Sequence, residues 1–162
     1  MIFLIISFFV PVVIWIFLPW VMYTVSAKKF ERDWILFIAC ICFFISWYLP
    51  SPLIHGVDTN FTTHVVGGGV FSGLLWIYLK KQLQWKFSWM IELITAFGLV
   101  STLGVMNELF ELFTVELHLT KLTGTDTWWD LLANTLGTLI VWLSYSVITH
   151  LKNSNRSNSI SK

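Results

Sequence analysis

Charge is what this chain has least of. Only 12% of its residues are Asp, Glu, Lys or Arg, against roughly 25% in an average soluble domain. The ten basic residues form no dense patch, which argues against a nucleic-acid partner. Cysteine is almost absent too. Cys40 and Cys42 are two residues apart in an apolar run, and a helix would point them about 200° apart, too far to pair with each other. They read as small apolar packing residues and leave the redox compartment open. There is also no internal repeat, which speaks mildly against the inverted-repeat design of a secondary transporter.

Apolar residues fill the space that charge leaves. The chain is 56% hydrophobic, with ten Trp and fourteen Phe, and its mean hydropathy is +0.74. Such a composition defines an integral membrane protein before any motif is read. The apolar runs predict an all-α polytopic bundle of about five transmembrane helices in a single domain, residues 1–150. The spans fall at about 2–25, 34–54, 64–79, 89–119 and 127–150; a bilayer core requires about 20 residues, so the third is short and the fourth must tilt or project. Pro11 and Pro19 should kink the first. A cleaved signal peptide is the lesser alternative for that span, since it lacks a basic n-region and is long for one. Residues 151–162 are polar and of low complexity, and are expected to be a disordered cytoplasmic tail.

The sparse charges are distributed unevenly. With alternating spans, Lys28, Lys29, Arg32, Lys80, Lys81, Lys86, Lys152, Arg156 and Lys162 share one side, and only Lys121 lies opposite. The positive-inside rule then puts the N-terminus outside and the C-terminus in the cytoplasm. The expected location is a cell membrane, bacterial and cytoplasmic. Most acids fall in the outer half.

Two stretches carry candidate chemistry. Asn107, Glu108 and Glu111 share one face of the fourth span, at spacings of three and four residues. Asp126, Asp130 and Asn134 recur every four residues along one face at the head of the fifth. A short loop makes these two spans antiparallel neighbours, so the Glu pair and the Asp/Asn stripe lie at similar depth. His64 opens the third span at the same end, followed by Gly67-Gly68-Gly69, glycines that let another helix approach closely. Polar groups at membrane depth are expensive and suggest a function.

Glu108, Glu111, Asp130 and His64 are therefore the candidate catalytic residues, and also the candidate ligands for a divalent cation. Crowded carboxylates could equally hold a proton for acid–base chemistry on a lipid head group. Asn134, Asn107 and Asp126 are candidate substrate-binding residues, although Asp126 could simply cap its helix. Glu116, His118, Lys121, His55 and Asp58 read as interfacial or loop residues, and Trp128 and Trp129 as an aromatic belt.

Asp130-Leu131-Leu132-Ala133-Asn134-Thr135-Leu136-Gly137 resembles the D-x-L-x-N-T-x-G signature of the VanZ-like membrane proteins. Glu108-x-x-Glu111, preceded by His64 and followed by Gly124-Thr125-Asp126, is also similar to the YjdF-type small membrane proteins. One departure is Glu111, where VanZ-like proteins commonly have Gln. The resemblance implies an envelope protein linked, in the family's namesake, to lowered sensitivity to teicoplanin-type glycopeptides. It transfers no mechanism. The combined expectation is an outer-face pocket that binds or modifies a lipid or lipid-linked cell-wall intermediate. A small proton-coupled transporter or a non-catalytic accessory subunit are the alternatives.

Overall fold

The computed structural model describes residues 2–54, 57–117 and 127–160, and of these the side chains of 2–4, 54, 57, 58 and 153–160 are left aside. The described residues form five helices: α1 (Ile2–Ser26), α2 (Trp34–Ser46), α3 (Phe61–Leu83), α4 (Trp89–Glu116) and α5 (Thr127–Ile160). A short antiparallel pair, β1 (Leu53–Ile54) and β2 (Val57–Asp58), lies between α2 and α3, with Leu53 opposite Asp58.

Four of the helices are long and apolar enough to cross a membrane. The 13-residue α2 is the exception: it is only about 20 Å long at 1.5 Å per residue. The helical part of the expected span over 34–54 is thus 34–46. Asp33 starts α2, its carboxylate accepting from the backbone N–H groups of Ile35 (3.0 Å) and Leu36 (3.2 Å), the usual way to satisfy orphan donors at a helix start. The helix stops at Ser46, ahead of Pro50 and Pro52, which disfavour helical backbone before them. The residues that follow are apolar without being helical.

The last helix departs from expectation in the other direction. α5 continues to Ile160, through most of the segment expected to be disordered. No Gly or Pro follows Gly137 to stop it, and those are the residues that usually end helices.

The contacts fix helix directions. α1 and α2 are antiparallel: Trp15 meets Phe37 (ring centroids 5.8 Å apart), Cys40 Sγ reaches the Pro11 carbonyl (3.4 Å), and Phe8 meets Phe44 (6.4 Å). α3 and α5 are parallel, since His64 faces Asp130, Gly69 faces Gly137 and Trp76 faces Tyr145. α4 runs against both, with Glu92 paired to Lys80 at one end and Glu111 beside His64 and Asp130 at the other.

The core is small and lies mainly between α2 and α3, where Leu36, Ala39, Phe71, Leu75 and Tyr78 are buried. A second cluster joins α3, α4 and α5 through Trp76, Ala96 and Trp142. Much larger apolar side chains face outward. Trp89 is 63% exposed, Ile94 65% and Trp128 81%. Water would penalise such a surface, whereas lipid does not. Length, composition and this outward apolar face together define a multi-pass α-helical membrane protein.

Candidate functional site

The polar residues collect in two layers. At one end Lys80 pairs with Glu92 and lies over the Trp76 and Tyr145 rings, Lys81 pairs with Asp33 at 2.7 Å, and the Tyr78 hydroxyl donates to the Glu31 carbonyl. At the other end lie His64, Glu111 and Asp130. Between the layers, His64 to Lys80 covers about 24 Å of helix and Glu92 to Glu111 about 28 Å. The separation is close to the roughly 30 Å of a bilayer hydrocarbon core. The second layer lies about one helical turn in from the starts of α3 and α5.

Three helices build this second layer. His64 opens a π-helical segment, His64–Val70, inside α3. The π-helix is rare and concentrates at functional sites. Here it coincides with three consecutive glycines, which weaken the α-helical preference and let α5 come close. Thr138 ties the contact, its hydroxyl donating to the Gly69 carbonyl at 2.9 Å. Asp130 is in the first turn of α5, where the positive end of the helix dipole favours a carboxylate. His64 Nε2 lies 3.3 Å from Asp130 Oδ1, and their side chains are only 15% and 3% exposed. Glu111 completes the group. One ligating atom from each of the three residues lies within 4.8 Å of the others.

The surrounding residues orient this cluster. Asn107 Nδ2 donates to Glu111 Oε1 at 2.6 Å, one turn along α4. Thr127 Oγ1 donates to Glu108 Oε2 at 2.8 Å, linking α5 to α4. Asn134 is buried one turn below Asp130. Its carboxamide lies over Gly68 and reaches Gly104, so closely that a Cβ on Gly68 would overlap it. Gly68 is in turn one turn below His64.

Six of the seven expected site residues can thus be placed. His64, Glu111 and Asp130 meet. Asn107 supports Glu111, and Asn134 forms the floor of the interhelical seam. Glu108 is adjacent but held by Thr127, outside the three-residue cluster. Asp126 lies outside the described residues. Sequence reasoning missed Thr138, although it continues the stripe of Asp130 and Asn134 by one more four-residue step. It also missed Gly104, seven residues before Glu111 on the same face of α4.

Chemically, the site offers an imidazole and two carboxylates near one end of the bundle. It could bind a cation or a hydrogen-bonding head group, or pass a proton between His64 and a carboxylate. Comparison of the chain with protein-family models, with curated proteins and with solved structures gives no match.

Proposed function

We propose that this chain is an envelope protein of a bacterial cytoplasmic membrane. Its His64–Glu111–Asp130 pocket binds or modifies a lipid or a lipid-linked cell-wall intermediate at the outer face. The convergence of these three side chains from three separate helices carries the reading. Polar side chains inside apolar spans are costly, and a structural role would not need an imidazole and two carboxylates at one point.

The position of the pocket favours head-group chemistry over transport. Transporter sites usually lie near the bilayer midplane, whereas this cluster is about one turn from the helix starts. Access also suits a lipid. Asn107 is exposed on the outward side of α4 while hydrogen-bonded to Glu111, so the site borders the lipid as well as the membrane surface. Placement at the outer face rests on the positive-inside rule, the opposite layer being rich in Lys and Arg. The VanZ-like segment Asp130–Gly137 supports an envelope role and a link to glycopeptide sensitivity.

The test is expression of the native chain, Glu111→Gln and Asp130→Asn in a bacterium lacking its own copy. The expected result is that the native chain changes teicoplanin susceptibility or the pool of lipid-linked cell-wall intermediates. Both variants should accumulate in the membrane and lose that effect. Full activity in both would overturn the reading.

A further inference from the structure

We propose that His64, Glu111 and Asp130 ligate a divalent cation of the zinc class and leave a fourth position to a water or substrate oxygen. The geometry is close to that of such a site. Two ligands each about 2.1 Å from a tetrahedral ion are about 3.4 Å apart, and His64 Nε2 and Asp130 Oδ1 are 3.3 Å apart. All three ligating atoms lie within 4.8 Å of one another, so a small side-chain adjustment of Glu111 closes the set. Three protein ligands and an open position are the pattern of catalytic rather than structural zinc.

Ligand chemistry narrows the ion. Calcium takes six to eight oxygen ligands and magnesium keeps several waters, and neither has a use for an imidazole. A nitrogen with two carboxylates suits zinc, manganese, iron(II) or cobalt. The outer ligands fit as well. Asn107 holds Glu111 Oε1 at 2.6 Å, an outer contact of the kind that fixes a ligating carboxylate.

Asn134 gives an independent pointer. It is 5% exposed, and its Oδ1 is a buried acceptor without a hydrogen-bond partner among the described residues. It sits one turn below Asp130 and over Gly68, one turn below His64. Buried acceptors are rarely left unsatisfied. A water or hydroxyl group held by an ion in the same seam would supply the missing donor.

The test uses the full chain, purified in detergent with an affinity tag that contains no histidine. Metal content is measured as isolated, again after exposure to zinc alone and desalting, and by the visible absorption of a cobalt(II)-loaded sample. The expected result is about one ion per chain and the intense spectrum of low-coordinate cobalt, in line with a four-coordinate site. Glu108→Gln should retain both. Asp130→Asn and Glu111→Gln should lose both. Asn107→Ala, which removes no ligand and lies at an exposed position, should weaken affinity by about 10- to 100-fold, and so tests the site even where a ligand variant fails to fold. A native chain that stays metal-free after zinc exposure overturns the proposal, as does unchanged binding in the Glu111→Gln/Asp130→Asn double variant. The outcome separates from that of the functional reading. A metal-free chain whose variants lose the cellular effect removes only the metal, and a metal-loaded chain whose variants keep it removes only the function.

Discussion

Gly69 and Gly137 bring two parallel helices into backbone contact. A Cβ on Gly69 would stand 2.7 Å from Gly137 Cα, and a Cβ on Gly137 would stand 2.8 Å from Gly69 Cα. Both distances are too short for real atoms, so α3 and α5 would have to separate. That seam carries His64 and Asp130 towards each other one to two turns away.

Gly69→Ala and Gly137→Ala should each destabilise the protein, by about 1–3 kcal/mol, as overpacking typically does. Gly98→Ala is the internal control, because nothing lies within 4 Å of a Cβ there. In that helix an alanine should be neutral or stabilising by up to about 1 kcal/mol. Thermal unfolding in detergent compares the three. Equal behaviour at Gly98 and Gly137 would show that the seam is looser than described.

The membrane class and the two polar stripes were legible in the sequence because they depend on composition and on helical periodicity. Their convergence was less so. Glu108 and Glu111 share a face at i, i+3, and only the rotation of α4 about its axis decides which one meets His64. The glycine run announced close packing but could not announce a shift in hydrogen-bond register from α to π. The end of α2 at Ser46 is not legible because apolar residues continue past it, and hydropathy cannot tell an apolar helix from an apolar turn.

The two glutamates should differ in consequence. Glu111 belongs to the cluster with His64 and Asp130, while Glu108 accepts from Thr127 beside it. Glu111→Gln is expected to reduce the cellular effect at least tenfold, equivalent to about 1.4 kcal/mol, and Glu108→Gln less than twofold. Dose–response curves with expression matched by immunoblot would measure both. Reversed sensitivities would move the chemical centre towards Glu108 and Thr127.

Orientation has its own test. Cys40 is buried and Cys42 half-buried, so replacing both by Ala gives a background for labelling. A cysteine at Lys121 should react with a membrane-impermeant maleimide in intact cells. A cysteine at Lys86, in the basic layer, should react only after lysis. This pattern follows from the retention of Lys and Arg on the cytoplasmic side. The opposite pattern would place the His64 cluster at the cytoplasmic face and turn attention to cytoplasmic lipids.

The N-terminal helix contains a local repair that can be measured without knowing the function. Pro19 has no N–H, so it cannot donate to the carbonyl of Trp15, four residues earlier. Arg32 takes over that role: its Nε donates to the Trp15 carbonyl and its Nη2 to the Ile16 carbonyl, both at 3.0 Å. The contact also fixes the loop between α1 and α2, which returns Phe30 to the buried face of Tyr78. Arg32→Ala should therefore expose an unpaired carbonyl in an apolar setting and cost about 1–3 kcal/mol. Pro19→Ala restores the missing donor within the helix. If the repair is the main role of Arg32, its loss should matter less in a Pro19→Ala background. The double-variant cycle should then show a coupling of about 1 kcal/mol, well above the 0.3–0.5 kcal/mol expected of independent sites. Strictly additive melting shifts would instead assign Arg32 to charge placement at the membrane surface.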